Sequence, residues 1–182
     1  MEISKLLLAS TAAVLLGALA SAQALGSAGG LRPPKAPARG PVLVPEPSAV
    51  NYCTSRPNST GHAAVLTCTG DLRVCHDRTC LTAMFVPSGG VGMFLYGSKP
   101  GRIPMFDGLL CVDPANKGLL RLGAAVADSR MCAELQLRFD SLPAHGQITA
   151  GSTWFFQYYF RDAAAGGAGA NFSDGLKITF CN

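Results

Sequence analysis

The chain has 182 residues, of which 48% are hydrophobic and 14% charged, with a formal net charge of +4. Its arginines (Arg56, Arg73, Arg78, Arg102, Arg121, Arg130, Arg138, Arg161) stand singly rather than in a stripe. That pattern excludes a nucleic-acid binder and leaves the positive charge a solubility role.

The first segment reads as a leader. Lys5 precedes an apolar run from Leu6 to Leu19, and Ala20-Ser21-Ala22 has the small-x-small form that a signal peptidase accepts. Residues 1–22 are therefore assigned to a secretory signal peptide, the run being shorter than the roughly 20 apolar residues a bilayer core requires. No second long apolar run follows, so no membrane span is expected after its removal. The remainder, about 160 residues, is enough for one domain with a real core. Residues 23–50, with Gly26-Ser-Ala-Gly-Gly30 and Arg32-Pro-Pro-Lys-Ala-Pro37, are Pro/Gly/Ala-rich without apolar periodicity. Such a stretch reads as a linker. The folded domain is placed at 51–182.

Within it, Asn58-Ser-Thr-Gly61 reads as a turn and as an Asn-x-Ser/Thr glycosylation acceptor, as does Asn171-Phe-Ser173. Strands are expected at 63–69, 72–75, 80–86 and 91–96, a loop over 101–108, and short strands at 109–112 and 119–122. Residues 124–130 are ambiguous and include a helical turn among their readings. Leu135, Leu137 and Phe139 alternate with Glu134, Gln136 and Arg138, as a half-buried strand does. Ser152 to Asp162 is dense in aromatics. With period two, Trp154, Phe156, Tyr158 and Phe160 share one face, and Phe155, Gln157, Tyr159 and Arg161 the other. Leu176, Ile178 and Phe180 alternate with Lys177, Thr179 and Cys181, completing a long-looped hairpin. No amphipathic helical period is sustained over three turns. The fold class is all-β: a disulfide-stabilised β-sandwich of about eight short antiparallel strands, jelly-roll or fibronectin/Ig-like.

Seven cysteines in an exported chain read as disulfides before zinc ligands, since no Cys-x-x-Cys knuckle accompanies Cys68, Cys75, His76 and Cys80. Cys75 and Cys80 flank a four-residue turn and pair there, with Cys68–Cys80 as second choice. Cys53 and Cys181 sit at the two ends of the domain and pair to close it; Cys111 and Cys132 form the third bond. Cys68 is left over, free or joined to another chain in a disulfide-linked dimer.

For function, the Trp154 face reads as core, whereas Phe155, Gln157, Tyr159 and Arg161 form the candidate exposed binding surface, with an extracellular ligand, a glycan among the candidates. Asp162, Asn171, Ser173 and Asp174 supply hard oxygens, which makes calcium the one cofactor worth testing. An Arg161–Asp174 ion pair across the hairpin base competes with that reading, and no other cofactor is implied. No catalytic residue is assigned. Gly-x-Ser-x-Gly and His-Glu-x-x-His are both missing, and His62, His76 and His145 fall in turns. The leading expectation is a non-enzymatic structural or binding module of the cell envelope or extracellular space. The alternatives are a carbohydrate-binding module and a small secreted hydrolase working near His76 or His145.

Trp154-Phe-Phe-Gln157, Phe160-Arg-Asp162, Asn171-Phe-Ser-Asp-Gly175 and Ile178-Thr-Phe-Cys181 resemble the end of a group of secreted proteins of planctomycete-like bacteria. The likeness extends upstream through Cys53, Asn58-Ser-Thr-Gly61, Gly92-Met-Phe-Leu-Tyr-Gly97 and Gly108-Leu-Leu-Cys111. This chain departs from the group's pattern at Tyr158-Tyr159-Phe160 and in the extra cysteines Cys68, Cys75 and Cys80. The group carries no established activity, so the resemblance implies secretion and not a mechanism. The last hairpin is also similar to that of fibronectin type III domains, an analogy that implies a sandwich and nothing about function.

Overall fold

The computed structural model describes residues 46–115 and 118–182, so the expected leader and most of the linker lie outside the described residues. Among the described residues eleven strands form antiparallel sheets: β1 (Ser48–Tyr52), β2 (Val65–Thr69), β3 (Cys80–Met84), β4 (Val91–Gly97), β5 (Pro100–Met105), β6 (Gly108–Val112), β7 (Leu120–Val126), β8 (Cys132–Gln136), β9 (Thr153–Arg161), β10 (Ala170–Phe172) and β11 (Gly175–Thr179). One sheet runs β1-β11-β9-β4-β7, with β10 also pairing β9; a second runs β2-β3-β8; β5 and β6 form a separate hairpin.

The all-β sandwich follows from the alternation. Along β9, Trp154, Phe156, Tyr158 and Phe160 are 0–4% exposed and meet Phe94 and Tyr96 of β4 and Leu176 and Ile178 of β11 on the inner face of the first sheet. Leu66, Leu81, Ala83 and Ala133 close over them from the second sheet. Each large side chain buried in this way stabilises the fold by about 1.5–3 kcal/mol. The buried hydroxyls end on carbonyls: Tyr96 Oη donates to Gly146 O at 3.0 Å and Tyr158 Oη to Ala125 O at 2.8 Å.

Several boundaries differ from expectation. Strand β1 begins at Ser48, inside the stretch expected as linker, because it pairs along the edge of β11 (Ser48 opposite Thr179, Tyr52 opposite Gly175). Residues 124–126 continue β7 instead of turning helical. The segment expected as a loop, 101–108, contains β5 despite Pro100 and Pro104. Prolines are tolerated there because, among the described residues, β5 pairs with β6 alone and its other edge is open.

The hairpin of β5 and β6 is a partial third layer. It lies on the outer face of the first sheet, where Leu110 packs on Leu95 and Phe172. One side chain pins it. Gln157 Oε1 accepts Cys111 N at 2.8 Å, and its Nε2 donates to Leu109 O and Ser173 O, both at 2.8 Å.

The expected disulfides are corrected. Cys53 is joined to Cys111, with Cα atoms 6.2 Å apart. Cys53–Cys181 is prevented by the β1/β11 register, which puts the two residues at opposite ends of the strand pair, about seven residues or roughly 23 Å apart. Past Tyr52 the chain turns at Cys53 (φ 61°) toward β6, and Tyr52 Oη donates to Cys111 O at 2.6 Å. Cys111–Cys132 fails because β6 and β8 lie on opposite sides of the first sheet. Cys75 and Cys80 do not face each other across a hairpin: Cys75 sits in a 3-10 turn, and Cys80 is opposite Thr69 and Gln136. Cys68 is opposite Leu81, so its neighbour Cys80 points to the other face. Cys68, Cys75, Cys80, Cys132 and Cys181 are thiols. The Cys68 thiol packs against the core, which pushes its pKa up; Cys75 is the exposed one.

Candidate binding site

The outer face of the first sheet is built in rows set by strand register. In one row Phe172 of β10 is opposite Tyr159 of β9, which is opposite Met93 of β4. In the next, Gln157 is opposite Leu95, which is opposite Arg121 of β7. The β5–β6 hairpin buries Gln157 and Leu95 and packs Leu110 on Phe172, but it leaves Tyr159 and Met93 of the first row partly open. What remains open is a depression of about 350 Å³, floored by Met93, Leu95, Tyr159 and Phe172 and rimmed by Met105, Phe106, Leu119 and Arg121.

Phe106 is the unusual member. It occupies the tip of the two-residue turn between β5 and β6, where Met105 is opposite Gly108, and has φ 51°. A bulky residue in the left-handed region costs about 1–2 kcal/mol, and turns of this kind normally carry Asn, Asp or Gly. Despite that cost the ring is 54% exposed, 5.7 Å from Tyr159 and 6.1 Å from Phe172 between centroids. The turn is held from its far side by Asp107. Its N–H donates to Ala170 O at 3.0 Å, and its Oδ1 accepts Ala168 N at 2.9 Å. Arg121 is exposed and forms no ion pair with any described residue.

The residues singled out in the sequence do not act as one exposed surface. Phe155 is half-buried with Tyr52 edge-on at 5.3 Å, and Gln157 is fully buried under the hairpin. Tyr159 lines the depression, and Arg161 is exposed beside β10. The four-residue face is thus covered at Gln157 and partly at Phe155, and open at Tyr159 and Arg161. The reason is a hairpin some fifty residues upstream that the alternation along β9 cannot reveal.

The calcium set is split between two places. Asp162 Oδ2 accepts Ser59 N at 2.9 Å and Asn171 Nδ2 donates to Pro57 O at 3.2 Å, both in the turn before β2. Ser173 Oγ accepts Tyr158 N at 3.0 Å, and Asp174 accepts Leu66 N at 2.7 Å and Asn51 Nδ2 at 2.9 Å, which ties β11 to β2 and β1. Asp174 therefore does not pair with Arg161. Burial pushes the Asp174 carboxyl above its ordinary pKa despite these donors. Among the described residues no cluster of three or more His, Cys, Asp or Glu side chains is arranged to hold a metal ion. The glycosylation acceptors are both turned inward: Asn58 is 6% exposed with Nδ2 on Phe85 O at 2.7 Å, and Asn171 is 1% exposed.

Of the histidines, His62 packs on Phe85 and His145 is exposed. His76 Nδ1 meets Asp71 Oδ2 at 2.6 Å, and Arg73 Nε reaches the same oxygen at 2.8 Å. These two partners hold the Asp71 carboxyl well below the usual range. An Asp-oriented imidazole is half of a hydrolytic arrangement, but no described hydroxyl or thiol hydrogen-bonds His76, so a nucleophile is missing from the geometry.

No family model, curated protein or solved structure matches this chain. The depression is consequently read from its own residues. Of its lining, sequence reasoning identified only Tyr159 as a binding candidate. Phe106 carried a signal all the same: Met105-Phe106-Asp107-Gly108 puts two large apolar residues at a turn directly after Pro104, where polar ones are the norm.

Proposed function

We propose that this protein is a non-enzymatic binding module acting at or beyond the cell envelope, and that its ligand seats an apolar group in the depression over Tyr159. The observation that carries this reading is Phe106, a large aromatic kept mostly in solvent by a backbone conformation that disfavours it. Strain of this kind clusters where a surface is used for contact. The intramolecular Cys53–Cys111 bond fits an oxidising compartment, and among the described residues no helix is long and apolar enough to cross a membrane. A carbohydrate platform is less well supported, since the rings of Phe106 and Phe172 are tilted by 49° and 59° against Tyr159 rather than coplanar.

Titration with anilinonaphthalene sulfonate, an anionic amphiphilic dye whose fluorescence rises on contact with apolar surface, tests the reading. Saturable binding of one dye per chain, weakened about tenfold or more in Phe106→Asn, is the expected result. Dye binding that is unaffected by Phe106→Asn and by Tyr159→Ala overturns the assignment, and saturable binding to a polysaccharide array in its place transfers it to the carbohydrate alternative.

A further inference from the structure

We propose that the ligand of this depression is the anion of a medium-chain fatty acid, its chain over Tyr159 and Met93 and its carboxylate at Arg121. The inference rests on the preceding reading of the depression as the ligand site and specifies its chemistry.

Three observations converge. At about 350 Å³ the depression is at the small end of ligand sites, suited to one medium-length chain rather than to an extended polymer. Its floor is supplied by Met93, Leu95, Tyr159 and Phe172, so nearly all of the contact it offers is apolar; two methionines, Met93 and Met105, give surfaces that adapt to a flexible chain. The rim then carries one cation, Arg121, on β7 beside Leu95, with no carboxylate of a described residue paired to it. A planar guanidinium beside an apolar trough is complementary to a carboxylate on an alkyl chain. It gives a neutral sugar or a cationic amphiphile nothing comparable. The neighbouring Asp107 does not compete for Arg121, because its carboxylate is held by Ala168 N and Ala170 N in the adjoining loop.

Calorimetric titration of the full chain with octanoate, octanol and octyltrimethylammonium, alone and in Arg121→Gln, tests the proposal. Octanoate is expected to bind one per chain and about fivefold tighter than octanol, the size of a solvent-facing ion pair. In Arg121→Gln the octanoate affinity falls to that of octanol while octanol is unmoved, and added salt weakens only the octanoate complex with the native chain. Equal affinity for octanoate and octanol, or indifference of octanoate to Arg121→Gln, overturns the fatty-acid assignment while leaving the depression as an apolar site. Tighter binding of a short acetylated peptide ending in a leucine carboxylate overturns it in favour of a peptide terminus. Failure of every amphiphile together with failure of the dye refutes both the ligand class and the site.

Discussion

Gln157 and Cys111 are joined across two layers: the Gln157 Oε1 in the middle of the main sheet accepts the Cys111 amide of the covering hairpin at 2.8 Å. The same residue, Cys111, carries the disulfide to Cys53 and accepts the Tyr52 hydroxyl. One point on β6 therefore receives a covalent bond and two hydrogen bonds, and this clamp sets where the hairpin ends and the depression begins.

Replacing Gln157 by Leu strips Cys111 N, Leu109 O and Ser173 O of buried partners. Unsatisfied buried groups cost about 1–3 kcal/mol each, partly recovered by relaxation, so the variant is expected to lose about 2–4 kcal/mol. Urea unfolding checks this: the midpoint falls with the slope little changed, and a midpoint equal to that of the native chain contradicts the clamp.

The disulfide closes a loop with a sequence separation of 58 residues. On loop entropy alone it is worth about 4 kcal/mol. Non-reducing peptide mapping is expected to return a fragment linking Cys53 to Cys111, and Cys53→Ser with Cys111→Ser to unfold at markedly lower denaturant. Recovery of Cys53 bound to Cys181 would show a different register for β1.

Phe106 separates stability from binding. Asn tolerates the left-handed region that Phe106 occupies, so Phe106→Asn regains about 1 kcal/mol of backbone strain while losing a mostly exposed ring. The thermal midpoint is expected to hold or rise as dye binding drops. A loss of several kcal/mol in stability would make the ring a structural part of the core instead.

The buried tyrosines predict alkaline sensitivity. Burial raises Tyr96 and Tyr158 from 10.0 to about 12, and raises Tyr52 further, with the Asp174 charge adding to the effect of burial. In the unfolded chain these hydroxyls ionise near pH 10, so above that pH the unfolded state binds fewer protons than the folded one. Their contribution is fully present below pH 10 and is lost as the pH climbs toward 12. Absorbance at the phenolate band should show three tyrosines silent until the fold melts; their ionisation at pH 10 with the sheet intact would contradict the burial.

The period-two run from Trp154 to Phe160 was enough to show a strand with one aromatic face inside, because alternation is a property of neighbouring residues. The thiol count and the Gly/Pro breaks likewise pointed to a disulfide-bearing β-sandwich, which the structure shows. The fate of the opposite face was a different matter. Whether Gln157 meets water depends on β6, whose Cys111 lies 46 residues away in sequence, and nothing local to β9 records that approach. The choice of Cys111 over Cys181 as the partner of Cys53 was decided in the same way, by which strand stacks on which. Local sequence dictates the direction in which a side chain points; only the packing of distant layers decides what it points at. For that reason the depression, formed where the hairpin leaves Tyr159 and Met93 partly uncovered, belongs to the tertiary structure alone.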